Sequence, residues 1–228
     1  MIVDAPLLKI RRRFKRPSHD EVAAFNSVPV GFVVDALGGR GALDGRIRAI
    51  GDMRTFCGVA LPCDAGPGDN LAMFGALSVA EEGDVIICAT DGFAGTAVTG
   101  DLALGMMKNR GVAAFVTDGV VRDVAGIRAV GLPCFAAGVM SNSPARNGPG
   151  TVGLPTVVGG VSVAPGDIVV GDEDGVVVVP ASLIASTIAQ LQVVRKAEAE
   201  LEAKVKAGLQ IPEYFEALRA AGRFAEID

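Results

Sequence analysis

The chain has 228 residues, half of them hydrophobic, which suits one domain of ordinary size, or one domain plus a tail, with a sizeable core. A formal net charge of −5 argues against nucleic acid as the main partner. The single histidine, His19, excludes any site that needs two, which removes most zinc hydrolases and disfavours a Ser-His-Asp triad.

The N-terminal segment is basic, with Lys9, Arg11, Arg12, Arg13, Lys15 and Arg16. No long apolar run with a cleavage site follows, so it reads as a solvated arm or subunit contact and not as a secretory signal. Ser18 followed by Glu21 fits a capping box for a short helix, with His19 exposed in its first turn. A second helix is expected over 30–37, closed by Gly38-Gly39, and a strand over 53–61. Pro67-Gly68-Asp69-Asn70 is a turn, and 71–80 a helix. A short apolar strand over 85–90 precedes a helix over 101–110 that Gly111 stops. A buried strand over 113–117, a helix over 124–130 ended by Gly131, and a strand over 134–138 continue the pattern. Strands that alternate with helices predict an α/β core with parallel strand pairs.

The composition then changes. Residues 147–166 are uncharged and rich in Gly, Pro and Val. Strands are expected over 161–163, 168–170 and 176–179, and the Asp-Gly between the last two signals a hairpin. This half therefore adds an antiparallel layer. Pro180 ends the last strand, a long helix is expected over 181–206, and Pro212 opens a short terminal helix that carries the only tyrosine, Tyr214. The uncharged run 175–194 is broken by Pro180 and several polar residues and does not read as a membrane span. The four cysteines, Cys57, Cys63, Cys88 and Cys134, form no CxxC pair and read as reduced, mostly buried thiols of a cytoplasmic protein.

Two motifs are decoys. Gly148-Pro149-Gly150-Thr151-Val152-Gly153 matches GxGxxG, but Ser143-Pro144 precedes it and Leu154-Pro155 follows, so no helix can start there to hold a dinucleotide. Asp172-Glu173-Asp174-Gly175 resembles part of a calcium loop, yet Ala181 stands where the loop needs Glu.

With His and Cys set aside, metal chemistry must use carboxylates, which select Mg²⁺ or Mn²⁺. Asp91, Asp101, Asp118 and Asp123 qualify by lying near strand ends. Thr99-Gly100-Asp101-Leu102-Ala103 opens a helix whose free amides attract an anion, although Asp101 there can equally just complement the helix dipole. Arg122 supplies a planar fork suited to a carboxylate or enolate. Asp123 beside it reads from spacing alone as either a metal ligand or, more simply, the N-cap of the helix over 124–130. On the long helix, Ile184, Leu191 and Val205 recur at multiples of seven, and Glu198 fills the missing place. Either the stripe ends before Glu198, or Glu198 reaches into a polar site such as one on a neighbouring subunit.

Over residues 33–208 the chain resembles the class II, metal-dependent 4-hydroxy-4-methyl-2-oxoglutarate / 4-carboxy-4-hydroxy-2-oxoadipate aldolases, which share a fold with the ribonuclease E activity regulator A proteins. The resemblance is carried by Pro67-Gly68-Asp69-Asn70, Gly100-Asp101-Leu102, Arg110-Gly111-Val112, Asp118-Gly119-Val120-Val121-Arg122-Asp123, and Pro165-Gly166-Asp167 running into Asp172-Glu173-Asp174-Gly175-Val176-Val177. It implies a three-layer β/β/α swivelling fold over residues 1–180, with a C-terminal helical extension over 181–228. It also implies assembly as trimers or hexamers with sites between subunits. Asp123 would be the ligand of Mg²⁺ or Mn²⁺, and Arg122 would hold the 2-oxo acid and its enolate. Asp101 and Glu198, the latter from an adjacent chain, would hold metal-bound waters that act as the base. The amides of Leu102 and Ala103, with Gly100 and Asn70, would bind the substrate carboxylate; the family commonly has Leu where this chain has Ala103. The activity implied is retro-aldol cleavage to pyruvate, with oxaloacetate decarboxylation as a side reaction. The alternative is a non-catalytic regulator that binds ribonuclease E. Such regulators are typically shorter and often lack the Asp after the Arg, and this chain keeps both Asp123 and the helix with Glu198. A methyltransferase of menaquinone synthesis is rejected, because no nucleoside-binding loop is recognisable.

Overall fold

The computed structural model describes residues 6–52, 54–225 and 227. In chain order the elements are β1 (Leu8–Ile10), α1 (His19–Ala23), α2 (Val30–Ala36), β2 (Arg48–Ala49), β3 (Phe56–Asp64), α3 (Leu71–Val79) and β4 (Asp84–Ala89). Then come β5 (Ala97–Thr99), α4 (Asp101–Asn109), β6 (Ala114–Thr117), β7 (Val120–Val121), α5 (Val124–Val130), β8 (Cys134–Ala136) and β9 (Gly138–Val139). The last third holds β10 (Gly150–Val152), β11 (Thr156–Val158), β12 (Val161–Val163), β13 (Ile168–Asp172), β14 (Gly175–Val179), α6 (Ile184–Lys206) and α7 (Glu213–Ala220). Among the described residues no helix is long and apolar enough to cross a membrane.

Nine strands form one sheet. Its centre is parallel, β3-β4-β6-β8, as the β–helix–β pattern predicts. The free edge of β3 is shared: β13 runs antiparallel along Phe56–Val59 and β10 along Cys63 and Asp64. Alternate residues of the central strands face opposite cores, because successive side chains of a strand point to opposite sides. Leu61, Cys63, Ile86, Cys88, Phe115 and Cys134 pack with Met73 of α3, Leu104 and Met107 of α4 and Ile127 of α5. Ala60, Val85, Ile87, Val116 and Phe135 pack with Val158 and Val163 of the β11–β12 hairpin. Both faces are covered, which explains why these strands read as unbroken apolar runs. A third cluster joins Phe25, Val30 and Val33 to Ile168, Val170, Val177 and Val179, with Ile184 and Leu191 of α6.

The Ser18–Glu21 capping box forms in both directions. The GxGxxG glycines open and flank β10, and Asp172 to Gly175 is the β13–β14 turn. Three expectations change. The antiparallel strands β13 and β14 belong to the main sheet and not to a separate layer. The expected strand over 53–61 runs instead as Phe56–Asp64, and Met53 lies outside the described residues. The basic arm is part of the domain: β1 pairs in parallel with β10, and Arg16 grips the wholly buried Asp84 through both carboxylate oxygens, the second bond being 3.0 Å. Charge made that segment look solvated; the buried carboxylate that it neutralises lies 68 residues away in sequence.

A small parallel sheet, β5-β7-β9, stands apart from the main one. It positions the site.

Candidate active site

β5 and β7 pair with Thr99 opposite Val121, and the Arg122 amide donates to the Thr99 carbonyl at 3.1 Å. Two chain segments distant in sequence thus end side by side, at Thr99 and Val121. One delivers Gly100 and Asp101 at the N-terminus of α4; the other delivers Arg122 and Asp123 ahead of α5. The pairing is so tight that a Cβ on Gly100 would overlap the Asp123 carboxylate, and a Cβ on Gly126 would overlap that of Asp101. Glycine at both positions lets two carboxylates approach one cavity.

Asp123 does not cap α5. It sits at the N-cap position, but its side chain makes no cap hydrogen bond, and its backbone is left-handed, with φ 63° and ψ 45°. Only its carbonyl serves the helix, accepting from the Ile127 amide at 2.9 Å. Its carboxylate instead lies 3.3 Å from Nε of Arg122 and remains 44% exposed. Its side chain is thus turned away from the helix amides and toward a cation. Arg122 is oriented at its far end by Ser143, whose Oγ accepts from Nη1 at 2.6 Å.

Asp101 opens α4, and its Oδ1 accepts from the Leu102 amide at 2.7 Å. The Leu102 amide, expected to face a substrate carboxylate, is therefore engaged by its neighbour, leaving the Ala103 amide among the first-turn donors that lack a helical partner. Asn70, 4% exposed, donates from Nδ2 to the Val98 carbonyl at 3.1 Å, while its Oδ1 is buried without a partner, as is Oγ1 of Thr99. Asn70, Thr99, Asp101, Leu102 and Ala103 line one cavity of about 190 Å³. The structure therefore brings together Asn70, Gly100, Asp101, Leu102, Ala103, Arg122 and Asp123 from the sequence-derived set.

Asp91, Asp118 and Glu198 do not line it. Asp118 is occupied by Thr90, whose amide and hydroxyl both donate to Oδ1, at 2.8 and 3.0 Å. Asp91 is an exposed turn residue with φ 56°. Glu198 is exposed on α6, and the apolar stripe ends before it: Ile184 and Leu191 are buried, but Val205 is 55% exposed.

Sequence reasoning missed Arg146 and Phe74, which also line the cavity. The Arg146 guanidinium carbon lies 5.6 Å from the centre of the Phe74 ring. A signal was available, since Arg146 is the only charged residue between Arg128 and Asp167. A larger cleft of about 520 Å³ beside the N-terminal segment is lined by Arg11, Arg13 and Lys15 but offers no paired carboxylates.

The donor set fits a hard divalent cation. Among the described residues no three His, Cys, Asp or Glu side chains are grouped as a metal site. Two carboxylates facing one open cavity suit Mg²⁺, which keeps several waters and commonly takes only one or two protein carboxylates.

Residues 24–178 match the Aldolase/RraA family. The chain belongs to that family. A protein of Halalkalibacterium halodurans, named provisionally as a 4-hydroxy-4-methyl-2-oxoglutarate aldolase, is 35% identical over 188 residues, which cover 82% of this chain and 88% of that protein. The crystal structure of Streptomyces coelicolor RraAS2, described as an unusual member of the RNase ES inhibitor RraA family, is 28% identical with a TM-score of 0.73, covering 83% of this chain and all of that one. The RNA-processing inhibitor RraA of Thermus thermophilis is 27% identical with a TM-score of 0.63, covering 68% of this chain and 93% of its own. These neighbours fix the architecture as the Aldolase/RraA fold. Length does not separate the two descriptions, because the Streptomyces coelicolor RraA-family protein covers 83% of this chain and the provisionally named aldolase 82%.

Proposed function

We propose that this protein is a divalent-metal-dependent aldolase. It cleaves 4-hydroxy-2-oxo acids of the 4-hydroxy-4-methyl-2-oxoglutarate type to pyruvate and decarboxylates oxaloacetate as a side reaction. The observation that carries this reading is Asp123: left-handed, uncapped, and turned into the cavity beside Arg122. A non-catalytic ribonuclease E regulator would give that strained carboxylate nothing to do.

Asp123 would hold Mg²⁺ or Mn²⁺, with the Asp101 carboxylate lining the same cavity. When bound, the metal supplies Lewis-acid polarisation of the 2-oxo group. The substrate's C1 carboxylate lies at the amino end of α4, where amides without helical partners and the helix dipole favour an anion. Arg122 donates to the C2 oxygen, held in place by Ser143. Asp101, with Glu198 supplied by a second copy, accepts the C4 hydroxyl proton through water. As the C4–O bond becomes a carbonyl, the C3–C4 bond breaks and its electron pair passes to the C2 oxygen, giving the pyruvate enolate opposite the guanidinium. Stabilising charge where it develops lowers the barrier most. A proton returned to C3 completes pyruvate. Oxaloacetate reaches the same enolate by losing carbon dioxide.

A homotrimer or hexamer is part of this reading. Leu102 at the cavity mouth is 78% exposed and Met106 is 51% exposed, and the outer half of α6 carries exposed Val193 and Leu201. Leu102 and Met106, one turn apart on α4 at the cavity, form an apolar surface of the kind that another chain covers.

The test is release of pyruvate from 4-hydroxy-4-methyl-2-oxoglutarate, with Mg²⁺ and after chelation. Activity should vanish with EDTA and return with Mg²⁺ or Mn²⁺. Full turnover in metal-free protein, or none with metal, contradicts the proposal.

A further inference from the structure

We propose that the cleft beside the N-terminal segment binds a nucleoside diphosphate, with its cations on the phosphates and its apolar wall against the nucleoside. The proposal is independent of the aldolase reading, because this cleft shares no lining residue with the Asp123 cavity.

Residues 9–16 carry six cations and no carboxylate, in a chain whose net charge is −5. This basic segment is fastened along its length. The Arg11 amide donates to the Val152 carbonyl at 2.9 Å. Gly153 and Gly166 let the backbone lie flush, since a Cβ on the first would overlap the Arg11 carbonyl and a Cβ on the second the Lys15 carbonyl. Arg16 then closes onto Asp84 and Glu81. Between these fixings Arg11, Arg13 and Lys15, at alternate positions, all line one cleft of about 520 Å³, and Arg12 does not. Among the described residues the three side chains have no hydrogen bond and no ion pair. Glu21 also lines the cleft, but its carboxylate is held chiefly by Ser18, whose amide and hydroxyl donate to Oε2 at 2.7 and 2.9 Å, with Lys15 a lesser influence. Three cations are thus held at one cleft by a backbone that is already in place, and the ordering cost of gathering them is met before any ligand arrives.

Charge and shape identify the ligand. Three cations call for three negative charges. A terminal phosphate brings about −1.5 to −2 near neutral pH, and an inner phosphate adds one more, so a diphosphate matches. The two guanidiniums suit phosphate oxygens as planar forks, and the Lys15 ammonium suits them as a point charge. Other parts of the cleft, Pro155, Pro165 and Ile184, are apolar and would give a bare diphosphate nothing to rest on. The flat proline rings suit the face of a base. The volume lies within the roughly 300–1,000 Å³ of small-ligand sites.

The experiment is titration calorimetry of the full chain with ADP, adenosine and inorganic pyrophosphate, in EDTA so that no metal competes for the phosphates. The wild type should bind ADP at least roughly 10-fold more tightly than adenosine, which lacks the charge-assisted hydrogen bonds. It should also bind ADP more tightly than pyrophosphate, which lacks the apolar contact. Arg13→Gln and Lys15→Gln should each weaken ADP binding roughly 10-fold. Arg12→Gln removes the same charge from the same segment outside the cleft and should leave the affinity nearly unchanged, because an exposed charge at a distance is screened by salt. All three side chains are exposed, so melting temperatures should not move, and a lost affinity is then a lost contact. No binding of ADP by the wild type, pyrophosphate bound as tightly as ADP, or full affinity in Arg13→Gln and Lys15→Gln overturns the proposal. An equal loss in Arg12→Gln overturns it too, since the binding surface would then be the basic segment as a whole and not the cleft.

Discussion

Asp123 occupies a backbone region that, glycine apart, favours Asn and Asp, and holding it there costs on the order of 1 kcal/mol or more. That conformation turns its carboxylate away from the α5 amides and over Gly100. From sequence, cap and ligand are indistinguishable, because the residue type and its place before a helix suit both. The left-handed dihedral and the missing cap bond remove the cap reading, and no residue pattern encodes them. Asn70 and the opening of α4 were legible because turn and cap chemistry are local. The Ser143 and Arg146 contacts were not, because a loop without periodicity brings them in. The sharpest prediction at this scale concerns Arg122. Arg122→Lys keeps the charge but cannot span Ser143, Asp123 and a substrate oxygen with one planar group. Turnover should fall roughly 10²-fold or more, as for the loss of an oxyanion donor. Aldol cleavage and oxaloacetate decarboxylation should fall together, since they share the enolate. Steady-state kinetics on both substrates checks this, and a defect in one reaction alone contradicts a common site.

Among the elements, the long apolar strands and capped helices were readable, and their observed ends differ from expectation by a few residues at most. The short strands were not. β5, β7 and β9 are two or three residues each, too few to show a period, and they acquire strand character only by pairing with one another. Yet this sheet joins Gly100 to Arg122. β1 was hidden by its charge. Its neighbour Arg16 shows why the basic arm is retained: Asp84 is wholly buried, and Arg16, whose own pKa is raised by that bond, is its cationic partner. Arg16→Ala leaves a buried carboxylate with, among the described residues, only the Glu81 amide for a bond. Stability should drop by roughly 3 kcal/mol, lowering the melting temperature on the order of 10 °C. Thermal denaturation followed by circular dichroism measures it. An unchanged melting curve means that the arm contributes nothing to the fold.

At the scale of the whole molecule, the chain ends in a helix that outruns its own domain. Past Leu191 nearly every residue of α6 is exposed, and α7 adds exposed Tyr214, Phe215 and Leu218. Val193 and Leu201, exposed on that outer half, are apolar surface of the kind a partner covers, and a second copy is the partner proposed here. The sequence pattern held the stripe but not its end, because where a helix leaves its domain depends on tertiary packing. If Glu198 serves a neighbour's cavity, Asp123→Asn and Glu198→Ala are each inactive. Hybrids made by co-refolding the two then contain sites with both carboxylates intact, and pyruvate release should reappear. Absence of activity in hybrids of confirmed mixed composition places Glu198 outside the neighbouring site.

The central claim is that the carboxylate of Asp123 does chemistry and not capping. Asn is the discriminating replacement, because it tolerates the same left-handed backbone and would also serve as a cap. The measurement is pyruvate release from 4-hydroxy-4-methyl-2-oxoglutarate by Asp123→Asn beside the wild type, in Mg²⁺, with the melting temperature of each recorded. The account predicts an unchanged melting temperature and a loss of activity of at least roughly 10³-fold, on the scale of removing a residue essential to an enzyme's site. A variant that folds normally and turns over like the wild type would contradict it.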